Sequence, residues 1–138
     1  ENPSKLNKRQ FENLKNNSSV LCHQYKKNVN FYLNKTDCLV LPSYREGLSK
    51  IILEAMSKGI PILGSKVPGI QDILRDNFNG YLFKPKSIES LTNVILKFTN
   101  TPIEKKKRFG KRSINLIKKK YSDKKILEKY LSVIEKLR

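Results

Sequence analysis

Tryptophan is absent, histidine and methionine occur once each, and cysteine only twice in 138 residues. One histidine and two cysteines cannot furnish a Cys/His zinc cluster, and Cys22 and Cys38 form no disulfide framework. Cys38 lies in an apolar run and Cys22 in an expected strand, so both read as reduced core residues of a cytoplasmic protein. No stretch approaches the ~18 consecutive apolar residues of a membrane span, and none reads as a signal peptide. Acidic residues are scarce: 12 Asp and Glu face 29 Lys and Arg, a formal net charge of +17. The last 35 residues, Glu104 to Arg138, hold 14 basic and 4 acidic residues and so +10 of that total. Such a balance favours anionic partners: a phospholipid surface, nucleic acid or phosphorylated substrates. The plain alternative is a lysine-rich composition whose ammonium heads solvate helix faces. The length is one domain's worth, enough for a core and small for a two-substrate enzyme.

What is present is organised around Asp37 to Pro68. Cys38-Leu-Val-Leu41, closed by Pro42, reads as a buried strand of a parallel sheet. A loop from Ser43 to Leu48 follows. Leu48, Ile51, Ile52, Ala55 and Met56 then recur at the spacing of an amphipathic helix, ended by Gly59. Pro61-Ile-Leu-Gly64 reads as the next strand. In open parallel sheets the loop of such a strand–loop–helix–strand unit is where ligands bind. Glu46 stands in that loop and Glu54 on the helix, eight positions later. Gly47 and Ser49 leave the backbone accessible, and a helix start offers unpaired N–H groups and a positive dipole end. A diphosphate suits that position, with carboxylates on either side to accept from hydroxyls. Phosphate plus polyol describes a nucleotide sugar. The bland alternative leaves Glu46 solvated and pairs Glu54 with Lys50 at i, i+4.

Elsewhere strand and helix alternate, which predicts a parallel α/β sheet. Asn2-Pro-Ser4 reads as a turn and helix cap before a polar helix, Lys5 to Asn16, with Leu6, Phe11 and Leu14 near one side. Val20 to Gln24 is expected as a short strand, followed by a helical segment with Val29, Tyr32 and Leu33. Val67-Pro-Gly69 reads as a turn into a short helix, Ile70 to Leu74, followed by a turn at Asp76 to Gly80 and a strand at Tyr81 to Phe83. Ser87 caps a helix that buries Ile88, Leu91, Val94, Ile95 and Phe98. From Pro102 two helices are expected, one with Phe109, Ser113, Leu116, Ile117 and Tyr121 in its stripe. The other carries Leu127, Tyr130, Leu131 and Ile134, after a break at Ser122-Asp123. His23 reads as a packed or surface histidine.

Three phrases, PSYREG (Pro42 to Gly47), LEAMSKGIPI (Leu53 to Ile62) and NGYLFKP (Asn79 to Pro85), resemble the C-terminal domain of family 4, or group 1, retaining glycosyltransferases. Glu46 and Glu54 match both ends of that family's E-x7-E motif. The wording resembles most the bacterial branch that adds sugars to undecaprenyl-diphosphate-linked intermediates in polysaccharide and glycan assembly, and ENPSKL (Glu1 to Leu6) fits it too. Tyr25 matches the tyrosine of the family's Gly-Tyr passage, whereas Gln24 stands where the family has glycine.

The resemblance implies a partial Rossmann-like, nucleotide-sugar-binding domain at residues 1–101, from a GT-B enzyme. A helical C-terminal extension, 102–138, would pack on the same domain. It implies transfer of a sugar from a nucleotide diphosphate to a lipid-linked or polysaccharide acceptor with retained configuration. Glu46 would be catalytic and hydrogen-bond the donor sugar. The backbone of Gly47, Leu48, Ser49 and Lys50 would meet sugar and phosphate oxygens, and Glu54 would accept from the ribose. No metal and no cofactor beyond the donor substrate are expected. The family's other domain and the strand and glycine-Arg/Lys region that open this one are missing. The chain is therefore expected to be a truncated gene, a partial sequence or half of a split enzyme, inactive alone. A basic rim at Lys105 to Arg108 and Lys118 to Lys120 suggests peripheral contact with the anionic inner face of the plasma membrane. The alternative of another class is a basic interaction module for anionic membrane or nucleic acid. Nucleic acid is disfavoured because Tyr44, Tyr81, Phe83 and Tyr121 are not interleaved with basic residues on one strand face.

Overall fold

A computed structural model describes residues 6–23 and 25–121. Its centre is a three-stranded parallel sheet, β1 (Leu39–Leu41), β2 (Ile62–Ser65) and β3 (Gly80–Phe83), in the order β1-β2-β3. Leu39 pairs with Ile62, Leu63 with Tyr81 and Ser65 with Phe83. The middle strand is buried along its whole length, Ser65 included, whose hydroxyl faces the Leu41 carbonyl oxygen. Ile62 belongs to a core with Ile52, Ala55, Met56, Ile70, Ile73 and Leu74. Its neighbour Leu63 points to the other face, into a core with Tyr81, Phe83, Phe98 and Phe109.

Helices fill the crossovers. α1 (Lys8–Lys15) and α2 (Asn30–Leu33) precede the sheet, α3 (Lys50–Ser57) joins β1 to β2, and α4 (Pro68–Gln71) lies between β2 and β3. α5 (Ile88–Thr99) and α6 (Ile103–Lys120) follow. α6 packs against α3 and carries the buried Phe109, Gly110 and Ser113. Arg112 of α6 donates to the Phe78 carbonyl oxygen at 3.0 Å and stacks on the Phe78 ring, tying α6 to the turn before β3. That turn is built around Asn79, which is fully buried: its Oδ1 accepts from the Arg75 N–H and its Nδ2 donates to the Ile73 carbonyl. Ser87 caps α5, its Oγ accepting from the Ser90 N–H.

Several expectations are corrected. Residues 20–23 form no strand and join no ladder, and Leu21 is 84% exposed. A strand exists only through a paired neighbour, and nothing in the described residues pairs with this segment. Cys22 is accordingly exposed and not a core residue. α1 begins at Lys8, capped by a reciprocal Asn7–Gln10 pair, and buries nothing, so Leu6, Phe11 and Leu14 are exposed. α4 starts two residues earlier than expected because Pro68 is preorganised for a first helical position. Leu48 precedes α3 and is exposed, as are Ile88 and Ile95 of α5, because that helix buries only the side bearing Phe98, Leu91 and Val94. Part of the basic rim packs as well as solvates: Lys105 lies over Tyr81 and Phe109, and Lys106 over Phe98. The Ser4 cap, Gln24, the Ser122-Asp123 break and the helix of Leu127, Tyr130, Leu131 and Ile134 lie outside the described residues.

The two thiols are expected to differ sharply in reactivity. Burial pushes the Cys38 thiol up to about 12, with Asp37 adding to the effect and Lys106 opposing it. At pH 8 such a thiol is thiolate in roughly one molecule in ten thousand. Iodoacetamide at that pH is expected to modify Cys22 first, with Cys38 slower by at least about tenfold until the chain is denatured. Peptide mapping by mass spectrometry reads the order, and equal rates in the folded protein would contradict the burial of Cys38.

Candidate functional site

In a parallel sheet all strands end on the same edge, and the segments leaving them share one surface. Here Pro42, Ser43, Tyr44, Arg45 and Glu46 leave β1, Ser65 ends β2, and Lys84, Lys86, Ser87 and Ile88 leave β3. Together they line an open hollow of about 1110 Å³. The loop from Ser43 to Ser49 is held from below by Gly69 of α4. A Cβ on Gly69 would stand 2.2 Å from the carbonyl oxygens of both Glu46 and Gly47, so the loop backbone rests directly on that glycine. Gly47 itself faces open space, with nothing within 4 Å of where its Cβ would be.

Of the residues singled out in the sequence, Glu46 lines the hollow and is half-buried. Gly47, Leu48, Ser49, Lys50 and Glu54 stand outside its lining, at or on α3. Ser49 is the N-cap residue of α3 and is buried, yet its side chain makes no capping bond. The first turn of α3 also carries no acidic residue. Among the described residues, then, no side chain claims the free N–H groups of this helix start, as at α2, α4 and α6 and unlike the starts of α1 and α5. Glu54 pairs with Lys50 across 3.7 Å, with the carboxylate side chain 28% and the lysine 88% exposed. An ion pair that open to water is worth at most about 1 kcal/mol and yields readily to another partner.

The sequence reading missed Tyr44, Arg45, Ser65, Lys84 and Lys86 as lining residues. The signal was available in principle. Pro42 and Pro85 each stop a strand, and parallel neighbours must bring their following loops together, so YRE and KPK share an edge. Among the described residues no three His, Cys, Asp or Glu side chains gather as metal ligands, and no helix is long and apolar enough to cross a membrane.

The fold finds counterparts among known proteins. A UDP-Gal:α-D-GlcNAc-diphosphoundecaprenol α-1,3-galactosyltransferase of Escherichia coli is 34% identical over 71 residues, which is 51% of this chain and 18% of that protein. A TarM variant of Staphylococcus aureus, solved with fondaparinux, α-GlcNAc-glycerol and UDP, superposes with a TM-score of 0.74 at 31% identity. The match covers 88% of this chain and 24% of that one. Anabaena HepE, solved with UDP-glucose, gives a TM-score of 0.81 at 17% identity, covering 93% of this chain and 35% of its own. The chain thus spans 35% or less of the length of each of these three proteins. The family model for the glycosyl transferases of group 1 matches residues 1–116, nearly all of the described sheet and helices, and the chain belongs to that family.

Proposed function

We propose that this chain forms the donor-binding part of a retaining glycosyltransferase, which moves a sugar from a nucleotide diphosphate to a hydroxyl of a lipid-linked or glycan acceptor. The observation that carries the reading is the start of α3: amides with no protein cap, behind a loop whose backbone is bared at Gly47 and followed by Glu54. Such a helix end attracts a diphosphate through its N–H groups and its dipole. In the reaction the bond between the sugar's anomeric carbon and the diphosphate oxygen breaks, and the diphosphate leaves with the electron pair. A bond from that carbon to the acceptor oxygen forms, and the acceptor hydroxyl passes its proton to an oxygen of the departing diphosphate. Negative charge grows on the departing diphosphate, so the amides of Gly47, Leu48, Ser49 and Lys50 stabilise the transition state more than the ground state. Glu46, reaching from the same loop into the hollow, holds a donor-sugar hydroxyl near the reacting carbon. Glu54 exchanges Lys50 for the ribose hydroxyls. Charge neutralisation falls to the α3 amides, with the nucleotide sugar as substrate and no cofactor. The UDP-containing TarM complex and the name of the E. coli relative support a nucleotide-sugar donor, and that name also supports a lipid-diphosphate acceptor.

Calorimetric titration of the full chain with UDP-, GDP- and ADP-glucose tests this assignment. Glu54→Ala is expected to weaken the bare nucleoside diphosphate about tenfold, the value of a charge-assisted hydrogen bond. Glu46→Ala is expected to leave that affinity alone and to weaken the intact nucleotide sugar about tenfold, through the lost contact to a sugar hydroxyl. Wild-type binding of both ligands in both variants would overturn the assignment.

A further inference from the structure

The hollow carries charge that the proposed donor contacts do not use. Those contacts fall on Glu46, the α3 start and Glu54, and only Glu46 among them lines the hollow. Arg45, Lys84 and Lys86 also line it, three cations against one carboxylate. Among the described residues none of the three cations enters an ion pair. Like charges gathered around one cavity repel one another, and an anion bound between them reverses the sign of that interaction. Two features hold the group in place. Lys86 adopts φ 59°, the left-handed region that a lysine seldom occupies. Its ammonium lies 5.5 Å from the centroid of the Tyr44 ring, which turns it from the β3 side of the hollow toward the β1 loop. The backbone of Lys84 is pinned by its N–H to the Ser90 Oγ at 2.9 Å. Arg45 adds a planar fork suited to bidentate contact with phosphate oxygens.

We propose that the hollow is a second anion subsite, in which Arg45, Lys84 and Lys86 hold a phosphate or diphosphate group of the acceptor. This rests on the reading of Glu46 as a donor-sugar contact. The donor's own diphosphate is met by the α3 amides outside the hollow, while an acceptor must approach the sugar carbon beside Glu46. The hollow borders Glu46, and its charge selects acceptors that carry phosphate.

Calorimetric titration of the full chain with inorganic pyrophosphate, with UDP at saturation, reads this subsite apart from the donor's. Pyrophosphate is expected to bind with UDP in place and to weaken about tenfold or more in the double variant Lys84→Gln/Lys86→Gly. Glycine adopts the left-handed backbone without strain, so this variant keeps its loop, and a thermal melt confirms it. UDP affinity is expected to stay unchanged in the same variant. Lys118→Gln/Lys119→Gln, at the far end of α6, is expected to leave pyrophosphate binding intact. Displacement of pyrophosphate by UDP would mean one anion site for both and would overturn the subsite while the donor reading stands. Equal weakening by the α6 variant would reduce the effect to general charge attraction and overturn it too. If UDP fails to bind, the donor reading falls, and loss of pyrophosphate binding in the Lys84/Lys86 variant still supports an anion site in the hollow. Geranyl diphosphate binding more tightly than pyrophosphate would assign a lipid-borne source, and equal binding the phosphate group alone.

Discussion

Gly69→Ala is expected to weaken nucleotide-sugar binding by about tenfold or more while costing the fold only about 1–3 kcal/mol. The added methyl would stand 2.2 Å from two carbonyl oxygens, those of Glu46 and Gly47, and 2.6 Å from the Gly47 carbonyl carbon. Ordinary carbon–oxygen contacts are near 3.3 Å, so the loop must retreat by roughly 1 Å. It has room to do so, because Gly47 faces open space. The strain is therefore relieved by shifting the loop instead of unfolding the domain. The shift moves Glu46 and the backbone ahead of α3 out of register with the proposed donor, and each charge-assisted hydrogen bond lost costs about tenfold in affinity. Gly47→Ala is the control for stability: its methyl meets no protein atom, and the melting transition is expected to stay within about 0.5 kcal/mol of wild type. Calorimetric titration with the nucleotide sugar beside a thermal melt separates the two effects. Wild-type affinity in Gly69→Ala would show that the loop is not seated as described.

Gly110→Ala is expected to destabilise the fold by about 3 kcal/mol or more, against the sign that helix propensity predicts. In an unencumbered helix interior alanine is better than glycine by about 1 kcal/mol. Gly110 is not unencumbered. Its Cβ would lie 2.2 Å from the Gly59 carbonyl oxygen and 3.0 Å from that carbonyl carbon. Gly59 adopts φ +72° at the end of α3, a backbone it can hold because it lacks a side chain. Neither side can give way. The buried Ile60 follows Gly59, and Phe109 and Ser113 anchor α6 on either side of Gly110. A urea melt measures the loss. An unchanged or raised midpoint would mean that α6 does not rest on the end of α3.

These two glycines show where sequence was legible and where it was not. Periodicity located β1, α3, β2, β3 and α5, because each has an apolar pattern that only one secondary structure can bury. It failed at Val20, Leu21 and Cys22, where an apolar run has no paired neighbour, and at Ile88 and Ile95, where a helical stripe is wider than the face it packs. Glu46 was placed in the loop after β1 because the strand before it and the helix after it each carry a legible apolar pattern. Gly69 was read as part of a turn and Gly110 passed unremarked, because close approach between distant segments leaves no local pattern. Arg45, Lys84 and Lys86 were hidden for the same reason: residues 45 and 84 become neighbours only once β1, β2 and β3 align in parallel.

That alignment also fixes how the domain comes into being. Leu39 meets Ile62 and Leu63 meets Tyr81 across separations of 23 and 18 residues, so no hairpin can template this sheet. Each ladder forms only after a sizeable loop has closed, and α3 and α5 are too short to persist beforehand in water. During synthesis this sheet therefore stays unformed until the segment through Phe83 has emerged. The edge that bears the hollow and the core are completed in the same cooperative event.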